Sequence, residues 1–181
     1  MKEFRFLLIT IFISLTTIGQ NSKDTTDGRF HDTLLNYFVG KWIVSGTVHG
    51  QEFKNIDLQV EWVLNHQFLQ IHEKSRDIVP WLQTFYESLL FIGYDHTNNR
   101  YVAHLMNVMG GDNQLAYLFF GKRTNNKINL VSQFEDSSTG SFDSESFIWQ
   151  PEFKSWHWIA KMVNKGKEEQ PYLDLKILPN N

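Results

Sequence analysis

The chain has 181 residues, 41% hydrophobic and 15% aromatic, enough for one packed core and little more than one domain. It has no cysteine, which excludes disulfides, thiolate metal sites and cysteine nucleophiles. Its 17 basic and 20 acidic residues give a net charge of −3, and no basic run is longer than Gly121-Lys122-Arg123, which argues against nucleic acid as a partner.

At the start of the chain, Lys2 and Arg5 precede an apolar run from Phe6 to Ile18, and small and polar residues follow from Thr17 onward. This is the pattern of a secretory signal peptide, expected over residues 1–19 with cleavage after Gly19. The run is too short to span a hydrocarbon layer of about 30 Å, and a lipid anchor on cysteine is impossible. The mature chain is therefore expected to be exported, periplasmic or extracellular, without membrane insertion. Residues 20–29 read as a polar linker and 30–181 as a single domain.

Phe30, Leu34, Leu35 and Phe38 recur at helical spacing, with Asp32 or Thr33 placed to cap the turn and Gly40 to end it. Beyond Gly40 the pattern has period two. Trp42, Val44, Gly46 and Val48 alternate with polar neighbours, as do Leu58, Val60 and Trp62. Further strand patterns cover 67–73, 85–95, 100–108, 114–121, 127–134, 145–150, 155–163 and 172–178, about ten in all. Short polar turns join many of them, at Asn65-His66, Asp95 to Arg100, Arg123 to Lys127 and Gln150 to Lys154. Connections this tight force antiparallel neighbours, because a parallel crossover needs a dozen or more residues. A meander of that length leaves two bare edges unless it closes. The expected fold is all-β, an up-and-down antiparallel β-barrel of about ten strands with a short N-terminal helix.

A short helix followed by Gly40-x-Trp42 at the head of the first strand resembles the lipocalin-like (calycin) superfamily. In that superfamily the glycine permits the tight turn from helix to strand and the tryptophan plugs the closed end of the barrel. The stretches 60–74 and 89–111 further resemble small exported bacterial lipocalin-like proteins of unknown function, which share a Gly-Tyr-Asp hairpin, here Gly93-Tyr94-Asp95, before a strand opened by tyrosine, here Tyr101. That likeness departs at Leu105 and Asn107, where those proteins carry an aromatic residue and a carboxylate. The resemblance implies a barrel cavity for a small, largely apolar molecule. Nitrobindin-type haem barrels share the Gly-x-Trp start, and they hold haem through a histidine near the C-terminus.

The seven histidines form no HxH or HExxH pair, so no metal site is read from spacing. His157 is the one histidine beyond residue 104 and the position a haem reading requires. It shares its strand face with Ser155, Ile159 and Lys161, however, opposite the apolar Trp156, Trp158, Ala160 and Met162. His72 and Glu73 are adjacent and point to opposite faces, so they do not cooperate. Glu61 and Glu87 lie in strand patterns that suit either a buried acid or an outer face. A barrel enzyme pairing a buried Glu61 with His104 or His72 is the alternative from another class, although no GxSxG, Walker or GxGxxG motif is present.

The segment from Ser75 to Phe85 holds an apolar cluster, Ile78 to Leu82, where a hairpin would ordinarily be short and polar; it reads as a lid, a docking surface or a satellite core. Glu135 to Ser146, rich in serine and acids, reads as a solvated hairpin loop without calcium-loop spacing. Of the six tryptophans most serve the core. The expected ligand contacts are Trp62, Tyr101, Leu105, Asn107, Trp158 and Trp81, with His104 and Met106 replacing them if the strand faces are reversed. The expected activity is binding of a small hydrophobic molecule by a monomer or weak dimer, with no catalytic residue, metal or cofactor assigned.

Overall fold

The computed structural model describes residues 28–110, 118–133, 140–164 and 170–180. The expected signal peptide and most of the expected linker lie outside this range, as do parts of three connections. The described chain is all-β, a closed barrel of ten antiparallel strands in which each strand pairs with its neighbours in sequence and β1 pairs with β10. This up-and-down closure is consistent with a lipocalin-like fold.

A single helical turn, α1 (Thr33–Asn36), comes first. Asp32 caps it, and its Oδ1 accepts from the backbone N–H groups of Leu34 and Leu35 at 2.7 and 2.9 Å. One turn has little stability of its own, so burial holds it in place: Phe30, Leu34, Leu35 and Phe38 are all buried. Gly40 follows with a φ of +139°, a conformation costly for any residue with a Cβ, and it turns the chain into β1. The strands are β1 (Gly40–Val48), β2 (Gln51–Val63), β3 (Phe68–Val79), β4 (Thr84–Asp95), β5 (Arg100–Asn107), β6 (Leu118–Thr124), β7 (Lys127–Ser132), β8 (Phe142–Gln150), β9 (Ser155–Val163) and β10 (Gln170–Pro179).

Alternation sets the inward face. Trp42 and Val44 on β1, Ile56, Leu58 and Val60 on β2, and Trp156, Trp158 and Ala160 on β9 are buried with their counterparts around the barrel. Two segments differ from their sequence reading. Residues 75–85 form no irregular loop, because β3 and β4 continue into a long hairpin in which Ile78 pairs with Phe85 and Val79 with Thr84. A register shift after Lys74 lets the hairpin bend, and its apolar residues are strand and turn residues rather than a flap. The acidic segment ending at Ser146 is not all solvated loop: β8 begins at Phe142, and Glu145 is buried between Leu130 of β7 and Ala160 of β9. Residues 134–139 of that segment lie outside the described residues.

Candidate functional site

The two ends of the barrel differ in chemistry. At the α1 end the interior is filled. Trp42 donates its indole N–H to the Phe38 carbonyl at 2.7 Å, and Phe38 stacks on Trp156 with ring centroids 4.5 Å apart. Asp32, 3% exposed, accepts from the Tyr101 hydroxyl and from Arg123 Nη1 at 3.0 Å in addition to capping α1. Burial and the adjacent Asp32 carboxylate raise the Tyr101 pKa, so its proton stays in this bond. Trp62 is in the same region; it donates to Asn36 Oδ1 at 2.9 Å and stacks on His66 with centroids 4.2 Å apart. The Gly40-x-Trp42 motif and two of the expected ligand contacts, Trp62 and Tyr101, thus belong to the plug.

At the opposite end the interior is not filled. A cavity of about 60 Å³ lies between β1, β2, β3, β4, β9 and β10, walled by Val48, Phe53, Tyr86, Trp158, Leu173 and Leu175, with Trp81 at its outer side. One charged-type side chain lines it, Glu73. Alternation on β3 places Leu69, Ile71, Glu73 and Ser75 inward together, so the glutamate enters an apolar stripe. Its neighbour across β4 is Ser88, whose Oγ donates to Glu73 Oε2 at 2.6 Å. Glu73 is 2% exposed, and its Oε1 has no partner in hydrogen-bonding geometry. A bare buried carboxyl oxygen is costly. Burial raises the Glu73 pKa to about 7 against weaker downward pulls from the Ser88 and Tyr86 hydroxyls and the charge of His72.

Glu145, 4% exposed, approaches the same interior from β8. Its Oε2 accepts the Trp158 indole N–H at 3.1 Å, and Trp158 stacks on Phe147 with centroids 4.8 Å apart. Burial raises its pKa to about 8; the Trp158 bond opposes this, while the charges of Asp143 and Glu73 add to it. The influence of Glu73 on Glu145 puts both acids in one electrostatic site, and near neutral pH the pair retains most of its protons. No basic side chain lines the cavity.

A second, larger space adjoins this one. The β2–β3 ladder ends at Ile56 and Ser75, and beyond it the two strands diverge to leave a cleft of about 330 Å³. Gln51 to Asn55 form one wall and Asp77 to Trp81 the other. Asn55 Nδ2 spans the cleft to Asp77 Oδ2 at 3.0 Å. Phe53 and Trp81 line both the cleft and the inner cavity, with ring centroids 6.5 Å apart. Two aromatic rings are therefore the shared wall between a surface cleft and a buried acid. Ile78, 56% exposed, extends the apolar rim of the cleft.

The other expected site residues are distributed as follows. Trp158 and Trp81 line the cavity. Leu105 is buried in the core, and Asn107, paired across β4 with Ser88, is half-buried and accepts from the Met109 N–H at 2.9 Å. The histidines named for chemistry lie on the half-exposed faces of their strands. His72 Nε2 meets Glu87 at 2.7 Å and His157 Nε2 meets Asp174 at 2.8 Å; the latter aims away from the interior that a haem reading needs. Glu61 is exposed, so the acid expected to pair with His72 or His104 is not buried. Met106 and His104 share the half-buried parity of β5, opposite Ala103 and Leu105. Among the described residues no group of three or more His, Asp or Glu side chains is placed to hold a metal. The acids that do enter the barrel, Glu73 and Glu145, carry a sequence signal in their parity with Ile71 and Phe147.

No protein-family model matches the sequence, and no curated protein matches it.

Proposed function

We propose that this chain is an exported lipocalin-like barrel that binds a small, largely apolar molecule at the end opposite α1, as a monomer or weak dimer. The observation that carries this reading is the pair Phe53 and Trp81, which lines both the surface cleft and the inner cavity. Phe53, Ile78, Val79, Pro80 and Trp81 give the cleft an apolar side on which the body of the ligand would lie, between polar residues at Gln51, Glu52, Lys54, Asn55 and Asp77. The inner cavity, at about 60 Å³, has room for a few non-hydrogen atoms and no more.

The test is native mass spectrometry of the mature protein after incubation with a lipid and metabolite extract. The expected result is a retained small molecule that is lost when Leu173→Trp fills the cavity. Retention that survives Leu173→Trp, or no retention from any extract, overturns the reading.

A further inference from the structure

We propose that the cleft between β2 and β3 receives an extended peptide segment, apolar at every second residue, which pairs with both walls as an added strand. This rests on the binding site proposed above and names the chemistry of its occupant. The β2–β3 ladder ends at Ile56 and Ser75, yet β2 begins at Gln51 and β3 runs on to Val79. Beyond the ladder β2 is paired with β1 alone and β3 with β4 alone, so each strand turns a bare edge to the cleft. The bond from Asn55 to Asp77 at 3.0 Å joins the two walls next to the end of the ladder.

The hairpins that lead into the two edges fix the direction of their backbone groups. His49 and Gly50, both at positive φ, form the two-residue turn between β1 and β2, and such a turn makes Val48 and Gln51 a hydrogen-bonded pair. Glu52, the next residue, therefore turns its N–H and C=O away from β1 and toward the cleft. On β3 the Val79 carbonyl accepts from the Leu82 and Gln83 N–H groups in the turn to β4, so Ile78 turns its N–H and C=O the other way, toward the same cleft. An extended peptide presents N–H and C=O groups to alternate sides, and it can meet both edges at once. A molecule without amides leaves those groups to water. The side chains of the added strand then alternate: one set packs on the buried Phe53 and Val79 beside Trp81, and the other faces solvent next to the exposed Glu52 and Ile78.

The test titrates the mature chain with acetyl-Val-Thr-Val-Thr-Val-amide, with the same peptide N-methylated at its valines or at its threonines, and with octanol. Calorimetry reads the affinities, and hydrogen exchange reads the Glu52 and Ile78 amides with and without the parent peptide. The expected result is that the parent peptide binds and slows exchange of both amides at least about tenfold. Each methylated form, with its side chains intact, is expected to bind about tenfold more weakly or worse, the effect of losing a backbone hydrogen bond on one edge. Octanol is expected to leave both amides unprotected. A methylated form that binds as tightly as the parent, or peptide binding that protects neither amide, overturns strand addition and leaves the binding site standing. Octanol binding with no peptide binding does the same. Failure of every probe to bind overturns both.

Discussion

Ser88 donates to one oxygen of Glu73 at 2.6 Å across the β3–β4 ladder, and the other oxygen of that carboxyl is buried without a partner in hydrogen-bonding geometry. The arrangement stabilises the acid in place without satisfying it. Stability therefore depends on the protonation of Glu73, and the sign is fixed by the direction of its shift. A carboxyl with a folded pKa of about 7 holds its proton where the unfolded chain, near 4.5, has lost it. Stability is then full below the unfolded value and falls as pH rises toward 7, by on the order of 3 kcal/mol for a difference of that size. Glu145, with a folded value of about 8, acts in the same direction over a wider window. Urea unfolding at pH 5 and pH 8 is expected to show the protein more stable at pH 5. Glu73→Gln and Glu145→Gln are each expected to reduce that difference and to raise stability at pH 8. Equal stability of the wild type at both pH values would refute the shift.

At the α1 end the carboxylate has the opposite character. Asp32 accepts from two backbone N–H groups of α1, from Tyr101 and from Arg123, so every approach to it is a donor. Asp32→Ala removes the cap and leaves Arg123 and the Tyr101 hydroxyl without their acceptor. The cap alone is worth about 1 kcal/mol, and breaking a buried pair costs about 3 to 5 kcal/mol; because Arg123 is 22% exposed, a total loss of about 3 kcal/mol is expected. Asp32→Asn, which keeps the capping oxygen, is expected to cost less than half of that. Chemical denaturation of the two variants checks the order, and an equal loss would mean that the charge contributes nothing.

The barrel was readable in the sequence because its signals are local. Ten alternating segments with short polar turns leave few topologies, and Gly40 with Trp42 marks where the barrel starts and which end is plugged. Residues 75–85 were harder to read, since a bent hairpin whose register shifts after Lys74 breaks the strict period of two. The acids were hidden for a different reason. Glu73 follows His72, and Glu145 lies in a serine-rich stretch, so both have the composition of solvated positions; parity with Ile71 and Phe147 is the signal that places them inside. Trp62 and Tyr101 have the composition of a cavity lining, but which end of a barrel an aromatic residue fills depends on strand register, which no single segment encodes.

Closure itself depends on one close approach. Gly46 of β1 faces Leu175 of β10 across the seam that joins the last strand to the first. A Cβ at Gly46 would stand 2.0 Å from the Asp174 carbonyl oxygen, with Leu175 Cα at 3.0 Å, and neither backbone atom can move without opening the seam. Gly46→Ala is expected to destabilise the protein by about 3 kcal/mol or more, the upper range of overpacking penalties. Loss of protection of the β1 and β10 amides in hydrogen exchange would localise the effect. A variant as stable as the wild type would show that the seam yields.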